Sequence, residues 1–150
     1  MRAHQSTSPE PVQIAELLGL PRPGSFDDIK LVDSMRHGFP ARSAERVVRS
    51  MDPGGARMSA YDLVAKSTLH RAIEADKPLS TDASETLWQV ARVFIEARRQ
   101  YRDTEEALAF LFRPHPLLDG MRPFDLARET AAGADLVLRA LAQAEAGLPI

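Results

Sequence analysis

The chain has 150 residues, a formal net charge of -2 and no cysteine. That length allows one domain, or two tightly joined ones, to bury roughly 70% of the surface of the unfolded chain, so no covalent staple is needed. The missing cysteines exclude disulfides and thiolate metal sites and suit a reducing cytoplasm, and the near-neutral balance argues against coating nucleic acid through bulk charge.

Residues 1–10 are rich in Ser, Thr and Pro and carry too little apolar surface to offset the entropy of ordering, so they are expected to form a tail. They also lack the apolar stretch of a secretion signal, and no apolar run in the chain is long enough for a bilayer. The protein reads as cytoplasmic, with no membrane partner. Residues 12–18 place Ile14, Leu17 and Leu18 at helical spacing, and Gly19, Pro21, Pro23 and Gly24 end that helix. Ser25 is positioned to cap the next one, where Asp27 and Asp28 favour the positive end of the dipole and Ile29, Val32 and Met35 lead to a stop at Gly38 and Pro40.

Residues 43–51 read as a helix with Val47, Val48 and Met51 inward, closed by Asp52-Pro53-Gly54-Gly55. Ser59 then caps a short helix holding Tyr61, Leu63 and Val64, and Ser67 or Thr68 opens another with Leu69, Ala72 and Ile73 on its buried side. Two short helices at a tight turn fit a helix-turn-helix. Around them Arg42, Arg46, Arg49, Arg57, Lys66 and Arg71 outnumber Glu45, Asp52 and Asp62, which fits either a basic face or a solvated surface of mixed charge. The turn itself, Leu63-Val64-Ala65, has no glycine to take a positive φ cheaply. Ser67 and Thr68 also suit simple capping, and His70 suits an exposed polar position.

Residues 79–101 form the longest periodic segment. Ser80, Thr81, Asp82, Ser84 and Glu85 make a cap-rich start, and Leu87, Trp88, Val90, Ala91, Phe94, Ile95, Ala97 and Tyr101 form a stripe wide enough to be covered on more than one side. This is the expected central helix, with Trp88 in the core and Arg92, Arg98, Arg99 and Arg102 on the remaining face. The broad apolar face of residues 87–101, with the helices at 27–37 and 43–51 beside it, carries more apolar surface than one small helical half hides, which predicts a homodimer.

From residue 104 a helix runs into a proline-punctuated loop at 113–123, then a short helix, a break at Gly133 and a final amphipathic helix. Few of these side chains suit acid-base or nucleophilic work. His4, His37, His70 and His115 lie singly in different segments, without the spacing that puts two ligands on one helix face. Gly54-Gly55 lacks the Gly-Lys-Ser/Thr of a phosphate loop. The chain therefore reads as no enzyme, with no catalytic residues, metal or cofactor of its own.

The order Ala107, Phe110-Leu111, Pro114, Pro116, Leu117, Gly120, Pro123-Phe124-Asp125-Leu126, Gly133, Val137, Leu141 and Gly147 resembles the toxin-binding domain of the Xre/MbcA/ParS antitoxins. Lys66-Ser67-Thr68-Leu69-His70-Arg71, followed by Leu79-Ser80 and Ser84-Glu85, resembles their helix-turn-helix half. The resemblance implies an all-α protein: a tail and short helix over residues 1–24, a DNA-binding and dimerising region over 25–103, and a small helical toxin-binding domain over 104–150. It implies an antitoxin that neutralises a RES-domain, NAD-consuming toxin and acts as a transcriptional repressor of its own operon. Lys66, Ser67, Thr68, His70 and Arg71 would then meet operator DNA. Pro116, Leu117, Gly120, Pro123, Leu126, Val137, Leu141, Gly147, Leu148, Pro149 and Ile150 would serve toxin binding, with the last residues approaching the toxin's NAD cleft. A stand-alone helix-turn-helix regulator without a toxin partner is the alternative.

Overall fold

A computed structural model describes residues 8–147. Most of the expected N-terminal tail, and Leu148, Pro149 and Ile150, lie outside the described residues. Within them the chain is all-α. In order the helices are α1 (Glu10–Leu18), α2 (Asp28–His37), α3 (Ser43–Met51), α4 (Lys66–Ala75), α5 (Thr81–Tyr101), α6 (Thr104–Leu111), α7 (Pro123–Glu129) and α8 (Ala131–Glu145).

The long helix α5 is the spine. Leu87, Val90, Ala91, Val93, Phe94, Ile95 and Ala97 are all buried, and consecutive positions such as 93, 94 and 95 point in different directions around a helix. They need cover on several sides. Helices α1, α2 and α3 supply it from the N-terminal half, and α6, α7 and α8 from the C-terminal half. One apolar cluster therefore runs from Ile14 through Phe94 to Leu141. The apolar width that pointed to self-association is consumed inside a single chain. Trp88 sits half-buried at the edge of this cluster, with the Arg92 guanidinium 5.6 Å from its ring centre.

Buried polar groups fix how the layers meet. The Ser84 hydroxyl, fully buried on α5, accepts from the Phe39 N–H at 2.8 Å, and the Phe39 carbonyl accepts from the Leu79 N–H at 2.9 Å. Gly38, at φ 97°, brings the chain against the Leu79 carbonyl so closely that a Cβ would collide with it. On the other side of α5, Gln89 is 5% exposed. With its amide turned to match its neighbours, it donates to the Ala127 carbonyl at 2.9 Å and accepts from the Ala131 N–H at 3.2 Å, tying the junction of α7 and α8 to the spine.

Several local expectations are corrected. Asp27, not Ser25, caps α2 by accepting from the Lys30 N–H at 2.8 Å, while Ser25 closes a single 3-10 turn at Pro23–Ser25 and donates to the Arg22 carbonyl. The short helix expected after Ser59 is a single 3-10 turn, Ala60–Asp62, closed by a capping box between Ser59 and Asp62. Neither Ser67 nor Thr68 caps α4, whose N-cap is Ala65. Gly133 is not a break. The chain turns at Thr130, whose hydroxyl accepts from the Gly133 N–H at 2.8 Å, and Gly133 lies in the first turn of α8.

Gly133 is there for space: a Cβ would collide with the Leu126 carbonyl in α7. Gly133→Ala must push α7 and α8 apart, and overpacking of this kind costs about 1–3 kcal/mol. A thermal melt should show Tm lowered by about 2–4 °C per kcal/mol at this chain length. An unchanged Tm would mean that the two helices are not held at that separation.

Candidate functional site

Two surfaces present the residues singled out in the sequence. The first is built on α4. Leu69 is buried and anchors the helix, and Thr68 is half-buried, while Lys66, Ser67, His70 and Arg71 are exposed. No side chain caps the helix and no acid lies in its first turn, so its leading N–H groups keep their partial positive charge beside the Lys66 ammonium. Among the described residues neither Lys66 nor Arg71 forms an ion pair. Tyr61 adds to this surface from the preceding turn. Its hydroxyl lies 3.0 Å from His70 Nε2, the two rings meet edge-on at 5.7 Å, and the Lys66 ammonium is 5.5 Å from the Tyr61 ring centre. Sequence reading gave Tyr61 no role beyond its place in a short helix with Leu63 and Val64.

Arg128 in α7 reaches across to this turn and donates to the Asp62 carbonyl at 2.9 Å. Its neighbour Asp125 takes a two-point hydrogen bond from Arg122, at 2.8 and 2.9 Å. The Arg122 hydrogen bond holds the Asp125 carboxyl below its usual range, and the same bond raises the Arg122 guanidinium. Through this network the Ala60–Asp62 turn is held by the C-terminal part of the chain.

The second surface is the loop between α6 and α7. His115 organises it: its Nδ1 accepts from the Leu117 N–H at 3.2 Å, and its carbonyl accepts from the N–H groups of Leu118 and Gly120, both at 3.0 Å. Asp119 and Gly120 turn the chain at positive φ, and the Met121 carbonyl closes the loop by accepting from the His115 N–H at 3.1 Å. Leu118 is plugged into the core while Pro116, Leu117, Gly120 and Met121 stay outside; Leu117 is 47% and Met121 40% exposed. Helix α8 packs against this turn and carries Leu136, 43% exposed.

The residues expected to bind a toxin thus divide by burial. Pro116, Leu117, Gly120 and Gly147 are exposed, and Leu126 is partly buried against the core. Pro123, Val137 and Leu141 are buried, so they shape the surface from beneath and present no side chain to a partner. The arginine face of α5 is also largely committed. Arg92 pairs with Glu10 at 3.6 Å and Asp135 at 3.4 Å, and the Arg98 guanidinium stacks 5.1 Å from the Phe94 ring centre. Arg99 bridges Glu96 and, at 2.9 Å, Glu145, whose carboxyl is lowered by that hydrogen bond. The last turn of α8 is therefore clamped to α5, which sets the position of Gly147.

Among the described residues no helix is long and apolar enough to cross a membrane, and no group of acidic and histidine side chains could hold a metal ion. A search of curated proteins finds no match. Residues 96–147 match the family model of the antitoxin Xre/MbcA/ParS C-terminal toxin-binding domain. That span includes the end of α5, the loop organised by His115, and the helices α6, α7 and α8. The chain thus carries, from Glu96 to Gly147, the toxin-binding domain of an Xre/MbcA/ParS-type antitoxin.

Proposed function

We propose that this antitoxin neutralises a RES-domain toxin that consumes NAD, and that it represses its own operon by binding operator DNA as a homodimer in the cytoplasm. The observation that carries the toxin reading is the family match over residues 96–147, together with an ordered loop that leaves Leu117 and Met121 exposed. Apolar side chains held out by a hydrogen-bonded loop lose little conformational freedom on docking, so more of their burial appears as affinity.

DNA binding is supported by the uncapped, acid-free start of α4, because N–H groups at a helix N-terminus and an adjacent ammonium suit phosphate oxygens. Ser67, Thr68, His70 and Arg71 follow on the first two turns. Homodimerisation is supported by α2, where Ile29 is 82% and Val32 37% exposed on one helix face. The proposed role of Leu148, Pro149 and Ile150 is to reach the toxin's cofactor cleft from the clamped end of α8.

Two experiments test these assignments. Lys66→Ala with Arg71→Ala should weaken binding to the upstream promoter while toxin neutralisation survives, and the dependence of log K on log salt should flatten by about one for each phosphate that the variant no longer neutralises. Promoter binding equal to that of the parent chain would refute the DNA role of α4. Deleting Leu148, Pro149 and Ile150 should leave the thermal melt unchanged, yet cells that also express the toxin should lose NAD and stop growing. Growth with normal NAD would refute the role of these three residues in inhibition.

A further inference from the structure

A cavity of about 400 Å³ opens on the C-terminal domain beside the His115 loop, lined by Tyr101, Glu106, Ala109, Phe110, Arg113, Pro114 and His115. All of its lining falls within residues 96–147, the toxin-binding match. Three rings form a row: Tyr101 and Phe110 lie 5.8 Å apart between centres, and Phe110 and His115 lie 5.7 Å apart, edge to face. Ala109 and Pro114 complete the apolar lining.

Around this apolar row the polar groups are uncommitted. Among the described residues the Tyr101 hydroxyl and the Glu106 and Arg113 side chains make no hydrogen bond or ion pair. The His115 Nδ1 accepts from the Leu117 N–H, so the ring proton sits on Nε2 as a further donor. Burial raises the Tyr101 phenol first, and the Glu106 charge raises it further, in keeping with a carboxylate close to that end of the row. Glu106 lies in the first turn of α6 and Arg113 just beyond its end, seven residues on, or roughly 10 Å along a helix. The groove is therefore negative at one end, aromatic along its length, and rich in donors at the other.

We propose that this cavity is an anchor pocket for a single arginine side chain of the partner toxin, with the guanidinium on Glu106 and the rings and the arginine's main-chain carbonyl toward Arg113 and His115. A planar cation satisfies the carboxylate with a two-point hydrogen bond and stacks on aromatic faces. An extended arginine spans about the length of the groove. A lysine lacks the flat face, and an aromatic side chain would leave the Glu106 carboxylate unpaired. Arginine is also among the residues that concentrate binding energy when seated in a pocket at an interface. The identity of the partner rests on the antitoxin reading; the chemistry of the pocket does not.

The test separates the two. N-acetyl-arginine-N-methylamide titrated into the labelled full chain should shift the amide resonances of Glu106, Phe110 and His115, with an affinity on the order of millimolar. The neutral isostere N-acetyl-citrulline-N-methylamide, and the arginine probe with Glu106→Gln, should bind at least about tenfold more weakly. Glu106 is exposed, so the substitution should leave the fold intact. Equal binding by citrulline, tighter binding by N-acetyl-tyrosine-N-methylamide, or no shift at these positions overturns the proposal. In a complex with the toxin, Glu106→Gln should weaken affinity about tenfold, and an unchanged affinity overturns the pocket's part in that interface. Failure of the parent chain to bind any RES-type toxin counts against the antitoxin's proposed partner, a result the probe titration does not share.

Discussion

Burial of α5 around most of its circumference, all but the face carrying Arg92 and Arg99, is the constraint from which the other helices take their places. A helix whose apolar positions cover most of its circumference keeps only a narrow polar face, so three helices from before it and three from after it close around the rest. Gln89 and Ser84, one on each side, convert that covering into a fixed arrangement, because a buried amide or hydroxyl tolerates only the geometry that satisfies it. The toxin-binding domain is therefore seated on the same core as the N-terminal helices. Its family match accordingly begins inside α5, at Glu96.

That seating determines what the surfaces can offer a partner. The loop between α6 and α7 spends its own backbone donors on the His115 carbonyl and ring, and Leu118 nails it to the core, so Leu117 and Met121 are displayed in one conformation. The α4 surface is built differently. It is held mainly by Leu69 and by its contact with the Ala60–Asp62 turn, and that turn in turn receives the Arg128 guanidinium from α7. The two candidate binding surfaces share a structural element through Arg128 and Asp62, although they lie far apart in the chain.

Much of this was legible in the sequence, because helical period and chain punctuation are local. The bounds of α3, the extent of α5 and the proline-rich loop follow from spacing and punctuation. What was not legible depends on tertiary contact. Ser25 and Asp27 are both good caps, and the choice between them rests on the turn at Pro23–Ser25. Gly133 looks like a helix breaker until the Leu126 carbonyl is seen against it. Gln89 escaped notice, since nothing in the sequence shows that the ends of two later helices will meet its amide. The width of the α5 stripe showed that cover was needed, but width cannot distinguish cover by the same chain from cover by a second copy. The row formed by Tyr101, Phe110 and His115 was hidden because its members come from three different elements.

The central claim is that one core, organised by α5, holds both halves and preforms the loop between α6 and α7 in the free chain. Native-state amide exchange in increasing denaturant tests it directly, by comparing Val47 in α3, Val137 in α8 and Leu118 in the loop. The account predicts that Val47 and Val137 open together, with the same free energy and the same denaturant dependence, and that Leu118 is protected without toxin. Separate opening of Val137 well below Val47, or free exchange at Leu118, would contradict it.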